Sequence, residues 1–299
     1  MSAVPWISLT TDYGLTDGFV AACHGVIARI APTARVIDVT HLVPPADVRR
    51  GAAVLAQTVP YLPVGVHVAV VDPGVGTARR GVALATPAGL LVGPDNGLLP
   101  EAADALGGVT AAVELTEPRW LAERVSGTFH GRDVFAPVAA RLALGARLAE
   151  AGTPVDPAGL VRLPAPVLDV DADGFTAQVL TVDHFGNVQL AAPADRLDPL
   201  PGTLRVHPTG PTRPTDPTGP TDPARATAPD RPTDAPREPV AGGPDGGWVA
   251  RRGRTFGDVP VGALVVYVDS AGLVAVAVNG GRAADLLGVS PGDLLRVAA

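Results

Sequence analysis

Val66-His67-Val68-Ala69-Val70-Val71, followed at once by Asp72-Pro73-Gly74-Val75-Gly76-Thr77-Ala78-Arg79, is the stretch that decides how this chain folds. A short valine-rich run bounded by turn formers reads as a strand buried on both faces of a largely parallel sheet. Asp72 then falls at the strand's carboxyl end, where open α/β sheets bind their ligands. Pro73, Gly74 and Gly76 let the backbone turn tightly and come close to a ligand, which bulkier residues would prevent. A second stretch, Phe129-His130-Gly131-Arg132-Asp133, adds a base and a cation. Together the two loops offer an acid, a base and a cation to one small molecule.

Outward from that strand, helical and strand patterns alternate. Trp6 to Thr11 and Arg35 to Thr40 read as strands, with helices over Gly18 to Ile30 and Asp47 to Val59. Gly81 to Thr86 and Leu90 to Val92 add strands, and Leu98 to Leu106 and Asp133 to Leu144 add helices. Asp133 is placed to cap the last of these, with Pro137 in its first turn. The alternation predicts an α/β domain over residues 1–160. From residue 164 to 299 the pattern changes to β-prone runs at Val167 to Val182, Val188 to Leu190, Ala263 to Asp269, Leu273 to Val278 and Leu294 to Val297, which predicts a smaller, mostly antiparallel β domain. At about 207–247, repeated Pro-Thr-Asp and Pro-Thr-Gly units with almost no large apolar residues predict a disordered insertion with no catalytic part.

Composition excludes several functions. At 299 residues and 46% hydrophobic side chains, the chain is long enough for two domains with large cores. No apolar run approaches the roughly 18 residues of a membrane helix. A net charge of -7 without a basic block argues against a nucleic-acid partner. Cys23 is the sole cysteine, so neither an internal disulfide nor a thiolate metal cluster is expected, and the first residues lack a secretory pattern, so the expected location is cytoplasmic. The sequence has no lysine, which excludes Schiff-base chemistry, lysine-anchored pyridoxal phosphate and a Gly-Lys-Ser/Thr phosphate loop. His24, His41, His67 and His184 match no ligand spacing, so no metal is expected.

Four further clusters carry polar groups at turns. Thr10-Thr11-Asp12-Tyr13-Gly14-Leu15-Thr16-Asp17-Gly18 puts two carboxylates between the first strand and the first helix, where one can accept ribose hydroxyls. Val182-Asp183-His184-Phe185-Gly186-Asn187 brings an acid, an aromatic face and an amide. Tyr267-Val268-Asp269-Ser270-Ala271-Gly272 and Val278-Asn279-Gly280-Gly281 supply small polar groups. Taken singly, Arg79 reads as a surface charge, His130 as a structural histidine, and Phe185 and Phe256 as core.

In set and order these motifs resemble the S-adenosyl-L-methionine (SAM) hydroxide adenosyltransferase family, hydrolytic relatives of the fluorinases and chlorinases. The resemblance runs from Ile7 to about Val297, broken only by the Pro-Thr-rich tract. It implies an α/β amino-terminal domain, a carboxyl-terminal β barrel, and a homotrimer with sites between neighbouring subunits. It also implies hydrolysis of SAM to adenosine and L-methionine, with no cofactor. Carried over residue by residue, it makes Asp72, Arg79 and His130 the water-activating set and Asp12 the ribose ligand. Phe185, Phe256, Asn187 and Asn279 fall around the adenine, and Asp17, Asp183 and Ser270 at the methionine end. The halogenating relatives carry Tyr where Asp72 stands and Tyr-Ser where His130-Gly131 stands. Two alternatives stay open: a halide-dependent adenosyltransferase, and a nucleoside or SAM binding module without turnover. Physics favours water, because a carboxylate beside a poorly solvated halide costs several kcal/mol of repulsion, whereas the same carboxylate can orient water and accept its proton.

Overall fold

The structure is a computed structural model describing residues 4–209 and 247–299. The chain divides into two compact units, Met1–Pro164 and Ala165–Ala299.

The first unit is built on a seven-stranded sheet: β1 (Trp6–Thr11), β2 (Arg35–Thr40), β3 (Val66–Val70), β4 (Gly81–Thr86), β5 (Gly89–Pro94), β6 (Ala111–Glu114) and β7 (Thr153–Val155), in the order β2-β1-β3-β5-β4-β6-β7. The first four strands in that order pair in parallel, and β4, β6 and β7 each join antiparallel. Every residue of β3 is buried. Val66, Val68 and Val70 pack with Cys23 and Ile27 of α1 (Phe19–Ile30) and with Val138 and Ala139 of α4 (Ala136–Ala143). Ala69 and Val71 face the other way, toward Ala52 and Leu55 of α2 (Val48–Thr58) and Ala102 of α3 (Pro100–Ala105). Each buried Val or Leu contributes roughly 1.5–3 kcal/mol, so burying both faces explains why the run is apolar without alternation. Asp47 caps α2 by accepting the Arg50 N–H at 2.9 Å.

The strand order places the site. From β1 the chain crosses to β2 on one side, then returns past it to β3, so the strand order reverses between β1 and β3. Crevices at such a reversal, outside the carboxyl ends of the strands, are where open α/β sheets bind ligands. Thr11 pairs with Val70 there, so Asp12 and Asp72 emerge from neighbouring strand ends.

The second unit is a closed barrel. Its strands are β9 (Gly174–Val182), β10 (Val188–Pro193), β11 (Thr203–Thr209), β12 (Trp248–Arg252), β13 (Leu264–Val268), β14 (Leu273–Val278) and β15 (Leu294–Ala298). They run β10-β14-β13-β12-β11-β15-β9, and β9 pairs with β10 to close the ring. The short β8 (Leu168–Val170) hangs on β9, and α5 (Ala283–Leu287) packs beside β14. Phe175, Val179, Val188, Leu190, Val206, Val266, Val276 and Leu295 fill the interior.

The barrel is mostly antiparallel, as expected, with β12 and β13 its one parallel pair among the described residues; the chain between them makes a return crossing through residues 253–263 where a hairpin would have reversed it. The strand β11 runs to Thr209, and residues 210–246, which hold most of the Pro-Thr-rich tract and its expected disorder, lie outside the described residues. The short strands β6, β7 and β12 carry too few alternating residues to stand out, and β11 runs into the Pro-Thr-rich tract. Asp133 does not cap α4. The helical backbone starts at Gly131 as a π turn through Phe135 that runs straight into α4. Asp133 is therefore inside it, 3% exposed, accepting the Ser126 N–H at 2.8 Å and pairing with Arg132. Pro137 does lie in the first turn of α4.

Candidate active site

The loop after β3 is tied by its own backbone, with Val75 N–H donating to the Asp72 carbonyl at 3.2 Å and Thr77 Oγ1 to the Gly74 carbonyl at 2.7 Å. Gly76 has φ 76°, and a Cβ there would lie 2.2 Å from the Gly127 carbonyl oxygen. Only glycine meets both conditions. That close approach presses the Asp72 loop against the loop that leads to His130.

Where they meet, three nominated residues form one chain of contacts. The Arg79 guanidinium donates from Nε to Asp72 Oδ1 at 3.1 Å and from its terminal nitrogen to Asp72 Oδ2, a two-point hold on the carboxylate. The same terminal nitrogen is 3.1 Å from His130 Nδ1. These are not surface charges, since the Arg79 side chain is 9% exposed and that of Asp72 is 5%. The Phe135 ring lies under the guanidinium, 5.5 Å from its carbon.

This geometry sets a tautomer that the sequence left open. A guanidinium can only donate, so His130 Nδ1 must accept, and a neutral ring then carries its hydrogen on Nε2. Burial and then the Arg79 charge hold the His130 pKa below its ordinary value, against the opposing pull of Asp72 and Asp133. The ring is neutral at pH 7 and presents one donor, Nε2–H.

At the end of β1, Asp12 Oδ2 accepts the Ala46 N–H at 2.9 Å. Ala46 has φ 63°, a left-handed conformation that costs an alanine about 1–2 kcal/mol, and the Asp12 bond is one of the contacts that hold it there. Asp17 is exposed on the following turn, with a long 3.5 Å contact from Thr16 Oγ1.

Tyr13 belongs to this cluster and was not nominated from sequence. Its ring meets Phe129 edge-on at 5.6 Å. Its hydroxyl stands over Gly131, where a Cβ would lie 2.0 Å from the oxygen. Burial, reinforced by Cys23, Asp12 and Asp72, raises its pKa, while a hydrogen bond from the Gly131 backbone pulls the other way. It is a neutral hydroxyl that feels the Asp72 charge. The only sequence signal was its place directly after Asp12, and an aromatic residue there reads as ordinary core.

On the barrel, the nominated residues lie in the turns and short segments between strands. Val266, Val274 and Val276 point inward, so Tyr267, Ala275 and Ala277 point outward, and Gln189 and Thr181 flank them on the paired strands. Asp183 accepts from the Asn187 backbone at 2.9 Å and from its Nδ2 at 2.8 Å, closing the β9–β10 turn. Asn279 Nδ2 donates to the Val259 carbonyl at 2.8 Å, and Ser270 is exposed in the β13–β14 turn. Phe185 and Phe256, which alone read as core, are 71% and 45% exposed. Phe256 rests edge-on against Tyr267 at 5.3 Å. Burial first, then Asp183 and Asp269, push the Tyr267 hydroxyl up to about 12.

The SAM hydroxide adenosyltransferase N-terminal domain matches residues 7–152, and the C-terminal domain of the same family matches residues 235–296. The chain belongs to the SAM hydroxide adenosyltransferase family. A protein of Salinispora arenicola named (R)-S-adenosyl-L-methionine hydrolase is 66% identical over the full length of both chains. A fluorinase from an Actinoplanes species is 30% identical over 62% of this chain and 70% of its own. Among solved structures, an uncharacterized conserved protein from Thermotoga maritima superposes with a TM-score of 0.81 at 32% identity, covering 98% of this chain and all of that one. Within the SAM hydroxide adenosyltransferase fold, the structure brings together Asp72, Arg79 and His130, with Asp12 and Tyr13 alongside, and it joins Asp183 to Asn187 on the barrel.

Proposed function

We propose that this chain hydrolyses (R)-S-adenosyl-L-methionine, the molecule in its relatives' name, to adenosine and L-methionine. The observation that carries the reading is the buried Asp72 carboxylate gripped at both oxygens by Arg79, with a neutral His130 on the same guanidinium.

In this reading a water oxygen attacks the 5′ carbon of the nucleoside. The new C–O bond forms as the C–S bond breaks, and the bonding pair leaves with sulfur. Because the leaving group changes from a sulfonium to a neutral thioether, no acid is needed for departure. Asp72 orients the water and takes up its proton, which then passes to solvent. Arg79 keeps the carboxylate aimed, and His130 Nε2–H is available to hold the water oxygen. Most of the acceleration comes from keeping oxygen, carbon and sulfur in line. Asp12 is assigned to the ribose hydroxyls, Phe185, Phe256, Asn187 and Asn279 to the adenine, and Asp17, Asp183 and Ser270 to the methionine end. No cofactor enters this chemistry. The assignment extends to a homotrimer, with each site shared between subunits, acting in the cytoplasm.

The fluorinase relative keeps a halide reading in view, and the Asp72 carboxylate speaks against it. Incubation with SAM in 18O-labelled water tests both. Adenosine labelled at its 5′ oxygen and an equal amount of methionine are expected, with Asp72→Asn slower by roughly 100-fold or more. A 5′-halogenated nucleoside in fluoride or chloride, or no turnover in the unaltered protein, would overturn the reading.

A further inference from the structure

Beside the sheet's β2 edge, three side chains converge that play no part in the hydrolysis described above. His24 comes from α1, Asp38 from β2, and His41 from the residue just past β2. His24 Nε2 is 2.8 Å from Asp38 Oδ1, and His41 Nε2 is 3.0 Å from the same oxygen. All three donor atoms lie within 4.8 Å of one another. His41 is only 4% exposed, with Nδ1 2.8 Å from Thr11 Oγ1. Its Nε2 has Asp38 as its polar neighbour, poorly aligned for a hydrogen bond although the contact helps hold the Asp38 carboxyl below its ordinary range. A buried imidazole nitrogen thus faces the centre of the cluster with a shared carboxylate oxygen beside it.

We propose that His24, Asp38 and His41 bind a divalent transition-metal ion of the zinc class, with water completing its coordination. Two imidazole nitrogens and one carboxylate oxygen suit zinc, cobalt or nickel and not magnesium or calcium, which prefer all-oxygen sets. Thr11 Oγ1 can accept from His41 Nδ1–H, the outer contact that leaves Nε2 free for a metal. Metal bonds of about 2.0–2.1 Å in tetrahedral geometry set donor atoms about 3.3 Å apart, so each nitrogen–oxygen separation needs to open by a few tenths of an ångström, while the two imidazole nitrogens stay within the 4.8 Å that bounds the cluster. His24 and Asp38 are 36% and 42% exposed, which gives an ion a path from solvent.

The ion's role is bracing. The His41 carbonyl accepts the Gly14 N–H at 2.8 Å, and Thr11 Oγ1 accepts the Tyr13 N–H at 3.2 Å, so a metal on His41 stiffens the loop carrying Asp12 and Tyr13. Sequence spacing hid the cluster because its members come from two elements that only the sheet brings together.

The test uses tag-free, chelator-treated full-length protein titrated with zinc chloride by calorimetry and with cobalt chloride by visible absorption. One equivalent should bind, cobalt should give the absorption of a low-coordinate nitrogen–oxygen site, and the melting temperature should climb with the logarithm of zinc concentration. His24→Ala and Asp38→Asn, at partly exposed positions, should weaken binding at least about tenfold, while His184→Ala leaves it unchanged. Absence of saturable binding, or binding untouched by His24→Ala, would mean that the cluster holds protons alone and would overturn the proposal.

Discussion

Asp72, Arg79 and His130 act as one unit because a single guanidinium contacts the other two. Their coupling sets the pH dependence. Protonating His130 would put a hydrogen on Nδ1 facing Arg79, so the neutral ring is the working form. Burial and Arg79 hold its pKa below the usual value of about 6.5. Turnover should therefore be complete at pH 7 and fall only as pH drops below about 6.5, a limb that His130→Gln should remove from the kcat profile. A limb centred above that value would contradict the geometry. Gly131 and Tyr13 form a second coupled pair, since any side chain at 131 meets the Tyr13 hydroxyl. Gly131→Ser should cost roughly 1–3 kcal/mol in urea melts, and combining it with Tyr13→Leu should recover most of that loss, whereas independent sites would simply add.

At the scale of elements, β3 combines a buried valine strand with one titratable group. His67 is 2% exposed, with Nδ1 2.9 Å from Ser8 Oγ, and burial lowers its pKa to about 4. The unfolded chain binds a proton at His67 below about 6.5, and the folded chain does not until about 4. Stability should thus fall as pH drops through that window, by about 1.4 kcal/mol for each pH unit from this residue, and level off below it. Urea denaturation of the parent and of His67→Gln across pH 4.5–7 measures the difference; equal slopes would sink the assignment. Strands and helices with strong periodicity were legible in the sequence: β1, β2, β4 and β14 run over the residues expected. The π turn at Gly131 was not, nor was the Asp133 carboxylate within it serving the Ser126 N–H, a contact no local pattern announces.

For the whole molecule, the proposal that each site is shared between subunits has a direct check. Asp72→Asn and Phe256→Asp chains, each inactive alone, should regain part of the activity when unfolded and refolded together, since some shared sites then receive both unaltered halves. No recovery from assemblies shown to be mixed would confine each site to one chain. The sequence by itself determined the two-part α/β and β plan, through hydrophobic periodicity and turn residues, which are local. The chemistry on a nucleoside sulfonium and the residues nominated for it came from the resemblance of the ordered motifs to a known family. Tertiary structure alone decided the closure of the barrel with its parallel pair, the exposure of Phe185 and Phe256, the tautomer of His130, and the meetings of Tyr13 with Gly131 and of His24 with Asp38 and His41. Each depends on groups distant in the chain approaching within a few ångströms, where sterics and directional hydrogen bonds act and sequence spacing carries no information.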